Sequence, residues 1–131
     1  MAGISYSSDF PTTSGAYQTS CSSCSGSFAL KLSANGDSLE YSTLVSGQYA
    51  NVIANAIAID ESGNAYITGE FDGDALVEVL NPTGSNLTYS IKLPSAIAYA
   101  IAVSPEHRGQ FRLRDRSGSE RKRFPGLFDL S

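Results

Sequence analysis

Tryptophan is absent, methionine occurs once, histidine occurs once as His107, and there are only two cysteines, Cys21 and Cys24. A single histidine leaves a Ser-His type of nucleophilic site with one candidate base, and no G-x-S-x-G nucleophile elbow accompanies it. Zinc is disfavoured on the same ground, because Cys21-Ser22-Ser23-Cys24 supplies two ligands and a structural site needs four. No segment approaches the ~18 consecutive apolar residues that a membrane helix requires. The start, Met1-Ala2-Gly3-Ile4-Ser5-Tyr6, shows neither a basic cluster nor an apolar run, so no signal peptide is visible. Basic residues are scarce up to position 104, where Lys31 and Lys92 stand against nine carboxylates, a balance of −7. Such a surface argues against nucleic-acid binding by this part, since phosphate neutralisation needs clustered Lys and Arg. Residues 105–131 reverse the sign to +3.

What is present is the material of a globular sheet protein. The 131 residues suffice for one ordinary domain, 41% of them are apolar, and 12 Gly, 7 Tyr and 6 Phe lean toward β-structure with tight turns. A search for self-similarity finds a repeat. Phe28 to Ser42 aligns 48 positions later with Leu76 to Ser90, with identity at Leu32/Leu80, Gly36/Gly84, Leu39/Leu87, Tyr41/Tyr89 and Ser42/Ser90. Asn55-Ala56-Ile57-Ala58-Ile59 aligns with Tyr99-Ala100-Ile101-Ala102-Val103 at an offset of 44, the difference being a shorter loop in the second copy. A unit of this length falls in the range of four-stranded propeller blades.

Within the unit, turn residues separate four short strands: Asn55 to Ile59, Ala65 to Gly69, Asp74 to Leu80 and Leu87 to Leu93. The Ile/Ala alternation of Ile53 to Ala58 and Ile97 to Ala102 reads as a packed inner strand, with a helical turn as the alternative. Small residues suit such a strand, because the innermost strands of neighbouring blades crowd a central channel. The expected fold class is therefore all-β, with antiparallel four-stranded blades of a partial β-propeller.

The residues Asp9-Phe10-Pro11-Thr12-Thr13, Gly15-Ala16-Tyr17-Gln18-Thr19, Phe28 to Leu32, Leu39-Glu40-Tyr41-Ser42-Thr43 and Ala56-Ile57-Ala58-Ile59-Asp60 come in an ordered series. With Gly63-Asn64-Ala65-Tyr66-Ile67-Thr68-Gly69 they closely resemble the bacterial seven-bladed β-propeller repeat family. The resemblance covers about residues 4–103. It implies large secreted or cell-surface bacterial proteins, hence an extracellular location, and offers no catalytic residues to carry over. Residues 1–103 then comprise the end of one blade, one full blade at about Asn55 to Leu93, and the start of a third. That is too few to close a seven-bladed ring, so further blades of a parent chain or other copies are the expected partners. The family pattern stops after Val103. The basic stretch 104–131, with Arg121-Lys122-Arg123, reads as a further strand near Phe111 and Leu113, or as a disordered or artefactual tail such as a reading-frame slip produces.

Candidate sites are few. Cys21 and Cys24 lie in a Ser/Gly-rich loop, where a disulfide in an oxidising compartment is the preferred reading and free thiols the next. Asp72-Gly73-Asp74 offers two hard oxygen ligands for calcium, but matches no complete ligand set and fits ordinary turn chemistry. No catalytic, metal or cofactor residue is assigned, and the chain is read as no enzyme. The expected function is a binding or scaffolding module for extracellular carbohydrate or protein, with the loops near Tyr17, Gln18, Asp72 and Asp74 as contact candidates. The alternative is the accessory propeller portion of an extracellular hydrolase whose catalytic domain lies elsewhere.

Overall fold

The computed structural model describes residues 1–21, 26–46, 52–96 and 98–103, together with the backbone of three strands at 111–114, 120–123 and 129–130. Every regular element among them is a β-strand. The first antiparallel sheet has the order β1 (Ala2–Ser5), β2 (Gly26–Leu32), β3 (Leu39–Leu44). The second is a four-stranded meander of β4 (Ile53–Ile59), β5 (Ala65–Phe71), β6 (Asp74–Leu80) and β7 (Leu87–Leu93). A third follows the same path through β8 (Ala100–Val103), β9 (Phe111–Arg114), β10 (Glu120–Arg123) and β11 (Asp129–Leu130). The Ile/Ala segment from Ile53 is thus a strand and not a helical turn, and the strand reading at Phe111 and Leu113 is the one the backbone adopts, with Ile101 opposite Leu113.

The turns explain the meander. Asp72 and Gly73 join β5 to β6 with φ of 53° and 82°, the two positive values that a type I′ hairpin needs to match strand twist. Asp60 holds the β4–β5 turn with its carboxylate, which accepts from the Ser62 and Asn64 amides at 3.0 and 2.8 Å and from the Asn64 side chain at 2.8 Å.

The 48-residue repeat is a repeat of geometry as well as sequence. The β2–β3 and β6–β7 connections share one hydrogen-bond plan: Ser33 N–H donates to Ser38 O, as Asn81 N–H does to Asn86 O. Gly36 N–H donates to Ser33 O, as Gly84 N–H does to Asn81 O. Both pairs also carry an irregularity one residue before the turn, at Lys31/Leu32 and at Val79/Leu80.

The core lies between sheets rather than inside one. On β6, Ala75, Val77 and Val79 join Tyr66 against Ala98, Ile101 and Val103 at the third sheet. Leu80, with Ala65 and Ile67, meets Ala29 and Val45 of the first. Alternation along a strand sends successive side chains to opposite faces, and here both faces are covered. Burying one such Val or Leu side chain contributes about 1.5–3 kcal/mol, so the middle sheet depends on both neighbours.

Candidate functional site

The segment following β1 is positioned by β3. Thr13 N–H donates to Ser42 O at 2.9 Å, Ser42 N–H donates to Thr13 Oγ1 at 2.9 Å, and Ser42 Oγ donates to Pro11 O at 2.8 Å. Gln18 completes the seam. Its N–H donates to Thr43 Oγ1 at 2.9 Å, and its carbonyl accepts from Leu44 N–H at 3.0 Å. Residues 11–18 therefore cover the outer edge of β3, which would otherwise present unpaired backbone groups. Tyr17 turns the other way: its N–H donates to Gly84 O at 2.8 Å and its ring packs against the cluster of Ala29, Val45, Ala65, Ile67 and Leu80. Burial pushes the Tyr17 phenol up, and the Glu78 carboxyl adds to it.

Asp72 and Asp74 sit elsewhere. Asp72 is exposed at the tip of the β5–β6 hairpin. Asp74 pairs with Lys92 at 2.9 Å and accepts the Ser95 N–H at 2.8 Å, and these two partners, the amide first, hold its carboxyl below the usual range. The Lys92 ammonium also stands 4.8 Å from the Phe71 ring centroid. The hairpin tip and Tyr17 are at opposite ends of β6, which the strand rise separates by roughly 20 Å. Tyr17 and Gln18 are thus brought together as an inter-sheet seam, and Asp72 and Asp74 as an ion-paired hairpin. The four do not form one site.

Cys21 is disulfide-bonded, and Cys24 lies outside the described residues. Arg121, Lys122 and Arg123 are on β10, where only the backbone is described, and His107 is outside the described residues.

A titratable group that motif reading passed over is Glu78. It is 3% exposed in the middle of β6, opposite Ile67 and Ser90, and desolvation pushes its carboxyl up to about 7. A signal for it was in the repeat, where position 78 corresponds to Leu30. Ser27 is the second such residue. Fully buried on β2, its hydroxyl donates to Val52 O at 2.6 Å and accepts Ala54 N–H at 2.7 Å, tying the first sheet to the start of β4. Asn55 makes the corresponding tie onward, its side-chain amide donating to Ala98 O at 2.9 Å.

A series of meander sheets, stacked face to face and tied through their inner strands, has a counterpart among known families. Residues 40–74 match the Beta-propeller repeat family model. The matched stretch runs from β3 through the whole of β4 and β5 to the first residue of β6, so it spans the junction of the first two sheets. These sheets are blades of a partial β-propeller. Neither the comparison with curated proteins nor that with solved structures gives a match.

Proposed function

We propose that this chain is a non-catalytic segment of a seven-bladed bacterial β-propeller, serving as a binding or scaffolding module of a larger secreted or cell-surface protein. The observation that carries the reading is the use to which the polar side chains are put. Ser27, Ser42, Thr43 and Asn55 stitch blade to blade or strand to covering segment, and Asp60 and Asp74 hold turns and an ion pair. Polar chemistry spent on holding repeats together supports a scaffold whose exposed loops are free for contact. The disulfide at Cys21 supports an oxidising, extracellular setting.

The test is retention of the purified chain on insoluble extracellular polysaccharides, with released sugar measured in the same tubes. Retention without release is the expected result. Release of sugar by the chain, abolished by replacing one of its own carboxylates, would overturn the non-catalytic reading.

A further inference from the structure

Alternation along β6 puts Glu78 on the same face as Leu76 and Leu80, with Ile67 directly opposite on β5. That face is the one covered by Ala29, Val45 and Tyr17. The carboxyl is thus enclosed between the first two blades, and among the described residues it has neither a hydrogen bond nor an ion pair. Protonated, it sits there at modest cost. Ionised, it needs water, because nothing in place offsets the loss of hydration.

No described element around it offers a free cation. On β5 its face carries Ala65, Ile67 and Gly69, and on β4 Ile57. On β7 Ser90 stands opposite, while Lys92 is held by Asp74 and lies over the Phe71 ring. The first blade turns Ala29, Lys31, Tyr41 and Thr43 to its matching face, with Lys31 paired to Glu40 and Tyr41 resting on Gly84. Tyr17 remains, its phenol close enough for the Glu78 carboxyl to act on it.

Tyr17 is also the cover that moves at least cost. The other covering residues stand on strands or, as Val45 does, bond to one through their own amide. Tyr17 is half-buried, belongs to no strand, and reaches the second blade through one backbone hydrogen bond among the described residues, its N–H to Gly84 O at 2.8 Å. Gly15, two residues before it, has φ of +78° and open space around it. Swinging Tyr17 outward gives up that bond and the packing of one ring. Parting the blades would in addition break the Ser27 ties to Val52 and Ala54 and lift Tyr41 off Gly84.

We propose that Tyr17 is a pH-operated latch on the inter-blade space, closed over Glu78 while that carboxyl is protonated and swung outward, admitting water, once it ionises. With the carboxyl pushed up to about 7, the latch is closed in mild acid and opens as pH rises through neutrality. The inference rests on the packing of the two blades and on no ligand, so failure to retain polysaccharide would leave it standing.

The experiment follows the full chain by NMR from pH 5 to 8.5, reading the Glu78 side-chain carboxyl carbon and the amide protection factors. Protection of the Tyr17 amide is expected to fall by about tenfold or more above pH 7, beyond any global loss. The Thr13 amide, which fastens the same segment to Ser42 of the first blade, should follow global stability alone. Glu78→Gln should make the Tyr17 protection independent of pH. Tyr17→Ala, which removes the cover, should bring the Glu78 midpoint down by about one pH unit or more, whereas Tyr17→Phe should leave it in place. The wild-type protection profile keeps the test independent of how the variants fold. A Glu78 midpoint that Tyr17→Ala does not move would overturn the proposal. So would Tyr17 protection that stays constant above pH 7, or that rises because the phenol donates to the carboxylate and shuts the seam.

Discussion

The ring of Tyr41, on β3 of the first blade, lies directly over Gly84 in the β6–β7 turn of the second, where a Cβ would overlap the ring carbons. Gly84 also has φ of +67°, and its carbonyl accepts the Tyr17 N–H, so one residue carries a turn and an inter-blade contact together. Gly36 occupies the same place in the preceding unit, with φ of +75° and nothing within 4 Å of its Cβ position.

The two glycines form an internal control. Ala at Gly36 should cost about 1 kcal/mol, the strain of a left-handed backbone. Ala at Gly84 adds overlap with Tyr41 and should cost about 2–4 kcal/mol in total. Urea melts of Gly36→Ala and Gly84→Ala check this. Equal losses would show that the Tyr41 contact yields at no cost.

Gly69→Ala should be more damaging than Gly73→Ala. The first drives a Cβ into the Ile53 carbonyl, which is backbone and can move only by breaking the β4–β5 register. The second has open space and pays only for its φ of +82°. A loss of about 3 kcal/mol or more is expected for Gly69→Ala against about 1 for Gly73→Ala, read as shifts in the denaturation midpoint.

Ser27→Ala leaves the Val52 carbonyl and the Ala54 amide without their shared partner in a buried place. The expected cost is about 2 kcal/mol. Its signature is faster amide exchange at Ala54, with protection in β6 and β7 lowered only as far as global stability falls.

Glu78 sets a pH dependence. Its carboxyl titrates at about 7 in the folded chain against an ordinary 4.5, so between those values the folded state holds more protons than the unfolded one. Stability from this group is full below about pH 4.5, falls as pH rises to 7 and is flat above, an effect on the order of 3 kcal/mol. Glu78→Gln should remove most of that slope, and Glu78→Leu, which restores the residue type of Leu30, should raise the melting temperature at pH 8. Melting curves at pH 5 and pH 8 decide it. An unchanged slope in both variants would show that Glu78 does not sense the buried site.

Much of the fold was legible because the relevant signals are local. Asp72-Gly73 and Asp60 to Asn64 encode their turns in a few residues. The 48-residue offset reports one backbone plan used twice, down to the Ser33/Asn81 side chains that receive the Ser38 and Asn86 amides. The site was less legible. Tyr17 and Gln18 were expected as loop contacts, and the structure uses them as a seam, because Gly84 and Thr43 lie 67 and 25 residues further along the chain.

The sequence by itself determined the strands, their turns, the all-β class and the length of the unit, since hydrophobic alternation and positive-φ residues act within a few positions. Only the tertiary structure decided which faces meet: that both sides of β6 are covered, that Ser27 reaches β4, that Tyr41 rests on Gly84, and that Glu78 is shut away from water. Each of these depends on sheets brought together across long stretches of chain, where burial and desolvation are set by the neighbour's side chains rather than by a residue's own sequence context.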